Sequence, residues 1–133
     1  MKKDELIKNA FEAMKNAYAP YSKYHVGACL ECKDGKTFLG CNIENASFGA
    51  TNCAERSALF SAISNGYKKG DFKAVAIVSD GDRVCAPCGI CRQAYSEFVD
   101  SKFKFYLSNG KEEVTKTMDE LLPMRFVDED VIR

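Results

Sequence analysis

The chain has 133 residues, enough for one domain with a real buried core, and 46% hydrophobic with 29% charged residues is ordinary for a soluble globular protein. Its 19 basic and 19 acidic residues cancel, which argues against affinity gained by neutralising phosphates, so no nucleic-acid partner is expected. No apolar run approaches membrane-spanning length, and Met1-Lys2-Lys3-Asp4-Glu5 lacks the apolar core of a signal peptide, so the expectation is a soluble, cytoplasmic protein with no membrane partner.

Asp4 to Tyr18 reads as an amphipathic helix, with Leu6, Ile7, Ala10, Phe11, Met14 and Tyr18 near the helical period and Pro20 as its stop. The loop 18–24 carries three tyrosines, suited to stacking or to plain packing. Val26 to Leu30 and Thr37 to Asn42 read as strands joined through Lys33-Asp34-Gly35-Lys36, because Asp-Gly readily adopts positive φ. In the polar segment that follows, an extended backbone would put Asn42 and Glu44 on one face. Ala54 to Asn65 reads as the second helix, with Asn65-Gly66 as its end.

Ala74-Val75-Ala76-Ile77-Val78 is a continuous apolar run, typical of a strand covered on both faces. After a loop at Asp80-Gly81-Asp82, Pro87 opens a third helix that continues to Phe98. Phe103 to Leu107 is a strand, Asn109-Gly110 turns it towards a short strand near Val114, and Thr117-Met118-Asp119-Glu120 is a capping box for a short last helix ended by Pro123. No repeat or linker interrupts the chain. A single α/β domain over residues 1–133 is expected, its sheet mixed because hairpins and crossover helices both occur.

Seven cysteines, an odd number, suit metal or free thiols better than a disulfide framework in such a chain. Two stretches carry the pattern: Thr51-Asn52-Cys53-Ala54-Glu55-Arg56 supplies Cys-x-Glu, and Pro87-Cys88-Gly89-Ile90-Cys91-Arg92-Gln93 supplies Pro-Cys-x-x-Cys. Both fall where a helix is expected to begin, and free N–H groups there favour thiolate over thiol. Three thiolates can hold a tetrahedral zinc and leave its fourth position to water, the arrangement of a catalytic site. Cys85 or His25, the sole histidine, as a fourth ligand would instead close the site and make the metal structural. Small buried hydrophobes are the plainer alternative for the motif cysteines, and packing is the expected role of Cys29, Cys32 and Cys41.

Glu55 can act as acid and base beside such a water only if Cys53 lies outside regular helix, since residues two apart on a helix point about 200° apart. Its alternative is a capping pair with Asn52. Three thiolates on a divalent ion leave a charge of about −1, which Arg56 or Arg92 can offset through bonds to sulfur. Arg56 is preferred, and an exposed helix position is the alternative for Arg92.

Together the two stretches match the signature known for zinc-dependent base deaminases, and the chain resembles the small, tetrameric cytidine deaminase family. Ala19-Pro20-Tyr21-Ser22, Gly40-Cys41-Asn42-Ile43-Glu44-Asn45-Ala46 and Glu120-Leu121-Leu122-Pro123 resemble it as well, so the likeness covers nearly the whole chain. The resemblance implies an enzyme that hydrolyses cytidine and 2′-deoxycytidine to the uridine nucleosides plus ammonia, in pyrimidine salvage. It implies a three-layer α/β/α fold around a five-stranded mixed sheet, one zinc per subunit, and a homotetramer with shared active sites. Carried over by position, Cys53, Cys88 and Cys91 bind zinc, Glu55 shuttles protons, and Asn42 and Glu44 hold the ribose hydroxyls. Tyr24 stands where the family places an aromatic against the base, usually Phe. Ala54 contributes main-chain contacts to the pyrimidine, and Phe126 resembles the C-terminal aromatic that closes a neighbouring subunit's pocket.

Free nucleosides are expected over nucleotides, because Glu44 repels a nearby phosphate. Phe48 departs from the family, which often has a Tyr there reaching across a subunit interface, and the loop 48–51 is also unlike it. The rival readings are a blasticidin-type or nucleic-acid-editing deaminase and, outside enzymes, a zinc-stabilised binding module.

Overall fold

In the computed structural model, which describes residues 1–132, the chain runs α1 (Lys3–Met14), β1 (Val26–Cys32), β2 (Thr37–Cys41), α2 (Ala54–Ser64), β3 (Phe72–Ser79), α3 (Gly89–Ser96), β4 (Lys104–Ser108), β5 (Glu113–Thr117) and α4 (Met118–Leu121). The strands form one five-stranded sheet in the order β2-β1-β3-β4-β5. Neighbours are antiparallel except β3 and β4, which the crossover through α3 makes parallel.

The apolar run at 74–78 lies at the centre of that sheet, and its alternating side chains feed two cores. Val75 and Ile77 join Leu59, Tyr95, Phe105, Leu107 and Met118 under α2, α3 and α4. Ala74, Ala76 and Val78 face the other way, against Leu6, Ile7 and Ala10 of α1. Helices therefore cover both faces and give the three-layer α/β/α arrangement. Each fully buried Leu, Ile or Phe contributes about 1.5–3 kcal/mol, and small residues on β3 let α1 approach closely.

Two glycines bring helices down to the main chain of the first hairpin. A Cβ on Gly27 would lie 2.0 Å from the Ala10 carbonyl oxygen, and one on Gly40 would lie 2.3 Å from that of Ala54. Gly40 therefore sets the height of the first turn of α2 above the sheet, and the start of that turn carries Cys53, one of the three clustered sulfurs.

Several boundaries differ from the sequence expectation. The first helix ends at Met14, before Pro20 can act, because Tyr18 is drawn into an extended bridge with Ile43. Its main chain exchanges bonds with Asn42 and Glu44, at 3.0 and 2.8 Å. The third helix starts at Gly89, so Pro87 precedes it and Cys88 is its N-cap. Thr117 and Glu120 do form the expected capping box around α4.

Candidate active site

Cys53 is the N-cap of α2, with extended φ and ψ of −79° and 154°. Leaving the helix there lets its sulfur turn towards the start of α3, as acid/base work by Glu55 requires. The Cys53 and Cys88 sulfurs stand 3.8 Å apart, and those of Cys53, Cys88 and Cys91 all lie within 4.8 Å of one another. A tetrahedral zinc with Zn–S bonds of about 2.3 Å holds its sulfurs about 3.8 Å apart, so the three cysteines fit that ion with little movement. Among the described residues neither Cys85 nor His25 joins the group. Cys85 lines the adjoining cavity, and His25 pairs with Asp80. Neither closes the coordination shell, which removes the geometric basis for a purely structural metal.

The electrostatics suit an anionic centre. The Cys53 thiol is pulled down to about 5, first by the Cys91 thiol that bonds to it and then, against partial burial, by Arg56. Cys91 is correspondingly pushed up by its bond to Cys53 and by burial. Arg56 Nη2 donates to Cys53 Sγ at 3.3 Å, in agreement with the preferred role of that arginine. Arg92 does something else: its Nε donates to the Pro87 carbonyl and its Nη1 to that of Leu121, both at 2.7 Å. It props the Cys88 segment against α4 rather than touching sulfur, and its bonds keep it from being the exposed helix residue of the alternative reading.

Glu55 is 3% exposed. Burial, with a further contribution from the negative charge on Cys53, pushes its carboxyl up to about 7. The capping alternative is not formed. No side chain caps α2, and Asn52 Nδ2 donates instead to Ser57 Oγ at 3.0 Å. Tyr95, fully buried, donates its hydroxyl to the Glu55 carbonyl at 2.7 Å and fixes the main chain from behind.

A cavity of about 550 Å3 opens above the sulfurs. Cys53, Cys88, Ala54 and Glu55 form its floor, while Tyr24, Asn42 and Glu44 stand in its wall. Ile43 bridges Tyr18 on one side and Asn52 on the other, so the segment is extended and Asn42 and Glu44 share the cavity side, as expected. Asn42 Oδ1 accepts from Val26 N–H at 2.9 Å, and its Nδ2 donates to the Tyr24 carbonyl at 2.8 Å. Glu44 Oε1 accepts the Tyr21 and Ser22 N–H groups, and Oε2 accepts the Ser22 hydroxyl. The Ser22 hydroxyl above all, with these N–H groups, holds the carboxyl below the usual range, so it is ionised near neutral pH. Phe126 lies outside this cavity and is exposed.

Sequence reasoning missed the part of the wall made of Arg83, Val84 and Ala86, weighed Cys85 only as a metal ligand, and did not foresee Val26, Thr51 and Asn52 as lining residues. Position supplied the one available signal: 83–86 precede Cys88, and 51–52 precede Cys53.

The family model for the cytidine and deoxycytidylate deaminase zinc-binding region matches residues 1–107, which include both halves of the split motif. The chain belongs to the cytidine deaminase family. This deaminase is 48% identical over 132 residues to the cytidine deaminase of Halalkalibacterium halodurans, covering 98% of each chain. The crystal structure of cytidine deaminase from Burkholderia pseudomallei matches with a TM-score of 0.91 and 45% identity, covering 95% of this chain and 100% of that one. Blasticidin-S deaminase of Bacillus cereus is 36% identical over 130 residues, covering 92% of this chain and 90% of that one. The deaminase is thus an enzyme, and its three-layer fold is the family's. No helix among its described residues is long and apolar enough to cross a membrane.

Proposed function

We propose that this deaminase hydrolyses cytidine and 2′-deoxycytidine to uridine and 2′-deoxyuridine with release of ammonia, in pyrimidine salvage. It does so as one domain over residues 1–133 with one zinc per subunit, in a cytoplasmic homotetramer that shares its active sites. The observation that carries this reading is the meeting, at one cavity, of three sulfurs, a buried carboxyl raised towards neutrality, and the extended Asn42–Glu44 segment.

Cys53, Cys88 and Cys91 would hold the zinc, which when bound would supply a Lewis acid able to make water nucleophilic near neutral pH. Glu55 takes the proton of the attacking water and passes it to N3 of the cytosine, then serves again as the C4 amino group leaves. Burial favours the protonated form of its carboxyl, which suits it to take up the proton and pass it on. Arg56 holds the Cys53 sulfur anionic by donating to it. Asn42 keeps one N–H and one lone pair beyond its two main-chain bonds, and Glu44 keeps acceptor capacity, so both can bind ribose hydroxyls. Tyr24 faces the base, and Ala54 offers main-chain contacts beside it. Phe126 closes the pocket of a neighbouring subunit. The ionised Glu44 favours nucleosides over nucleotides.

The test follows cytidine by ultraviolet absorbance, comparing the parent enzyme with Glu55→Ala at matched zinc content. Loss of cytidine in the parent alone supports the reaction and its acid/base residue. No turnover by zinc-loaded parent enzyme would rule the reading out. Blasticidin S belongs in the same assay because of the Bacillus cereus relative, and turnover of it in preference to cytidine would move the assignment to that substrate.

A further inference from the structure

The β1–β3 ladder ends in an irregular pair beside the cavity. Val26 pairs with Ser79, so His25 and Asp80 are the next opposed residues. Asp80 N–H donates to the His25 carbonyl at 3.2 Å, as in a regular antiparallel ladder. The return bond is different. His25 N–H donates to Asp80 Oδ1 at 3.0 Å, and His25 Nδ1 lies 2.6 Å from Oδ2. The carboxylate thus stands in for the main-chain carbonyl of its own residue, which leaves the chain free to turn out of the sheet after Asp80.

Both strands leave this pair into the cavity wall. Beyond Asp80 the chain forms the wall at 83–86 and then reaches Cys88. On the other strand the residue before His25 is Tyr24, the cavity's aromatic side chain. The Tyr24 ring lies against Gly81, where a Cβ would come within 2.7 Å of Cε1. Gly81 is itself held, its N–H donating to Ser79 Oγ at 3.3 Å and its carbonyl accepting from Asn109 Nδ2 at 3.2 Å. Asn42 secures Tyr24 and Val26 from within the cavity. The His25–Asp80 pair, like the ties of Gly81, lies outside the cavity, since neither of its residues lines it.

We propose that His25 and Asp80 are positioning residues for the substrate: together they hold Tyr24 and the 83–86 wall in the mutual placement that receives the pyrimidine. The proposal rests on the reading that Tyr24 faces the base. It assigns the pair an influence on substrate affinity that passes through Tyr24 and leaves the chemical step alone. Asn can present a side-chain N–H close to where His25 Nδ1 stands, whereas Ala cannot.

The experiment measures kcat and KM for cytidine, with thermal unfolding as a check on folding, in zinc-loaded enzyme carrying His25→Ala, His25→Asn, Tyr24→Ala, or Tyr24→Ala with His25→Ala. The expected result is a rise in KM of about fivefold for His25→Ala with kcat within about twofold, and recovery of most of that rise in His25→Asn. In the Tyr24→Ala background, adding His25→Ala should leave KM within about twofold, because the path through the ring is already cut. Asp80→Asn gives a second route to the same change. An unchanged KM in both His25→Ala and Asp80→Asn overturns the proposal, and so does an equal rise with or without Tyr24. If Tyr24→Ala itself leaves KM unchanged, the reading beneath the proposal fails instead, and the two failures are told apart by that single variant.

Discussion

Glu55 occupies a place where an apolar side chain would be the ordinary choice, and its chemistry follows from that. Folding raises its pKa from 4.5 to about 7, chiefly through burial. Between those values the folded protein keeps a proton that the unfolded chain has lost. The resulting contribution to stability is fully present below about pH 4.5 and is lost as pH rises through about 7. In metal-free protein, Glu55→Gln should therefore gain stability relative to the parent across that window, by up to about 3 kcal/mol, in urea unfolding at a series of pH values. A flat difference would mean that the carboxyl is not raised. Arg56 is the complementary case. Among the described residues its Nε is buried without a hydrogen-bond partner, an arrangement that costs about 1–3 kcal/mol and is tolerated where the guanidinium is held for its charge. Arg56→Gln should raise the Cys53 thiol pKa and weaken zinc binding by about 10–100-fold in chelator competition at neutral pH, with the deficit shrinking as pH rises and the thiol ionises unaided.

Among the elements, the first turn of α2 is the one on which the site depends. It rests on Gly40 at main-chain distance, so Gly40→Ala should lift Ala54 off the hairpin and carry Cys53 and Glu55 with it. A loss of about 1–3 kcal/mol in stability is expected, together with zinc loss measured by metal analysis. Retained zinc and activity would show that the contact can relax. The strands and their order of appearance were legible because alternation, turn residues and the apolar run at 74–78 are local signals. The early end of α1 was not: the bridge between Tyr18 and Ile43 is made by main-chain groups from distant segments, and main-chain groups leave no mark on residue identity. The same holds for Arg92, whose two carbonyl acceptors on the Pro87 segment and α4 are set by tertiary packing. The sulfurs, Glu55 and Arg56 were legible because their chemistry demands particular residue types. The wall at 83–86 was not, because its residues need only fit.

At the scale of the whole molecule, Phe48, Ile90, Met124 and Phe126 are exposed on the single chain. Phe48 lies beside Glu44 in a second cavity of about 330 Å3 that also includes Tyr21 and Ser22. An assembly formed there would brace the carboxylate proposed to hold ribose. Phe48→Asp should accordingly reduce the mass seen by light scattering and lower cytidine turnover with it, even though Phe48 does not line the main cavity. A parent enzyme that is monomeric and active would remove both the shared sites and the role proposed for Phe126.

The 3.8 Å between the Cys53 and Cys88 sulfurs also governs how the enzyme ages in air. A thiolate beside a second, exposed thiol is set to close to a disulfide of about 2.05 Å, giving two electrons and the thiol's one proton to dissolved oxygen, which takes a second proton from water to leave as hydrogen peroxide. Zinc across the same sulfurs keeps them from that fate. Enzyme stripped of metal and left aerobic should lose two titratable thiols and fail to recover when zinc is returned, until a reductant reopens the bond. Protein stored with its zinc should keep both its thiol count and its turnover.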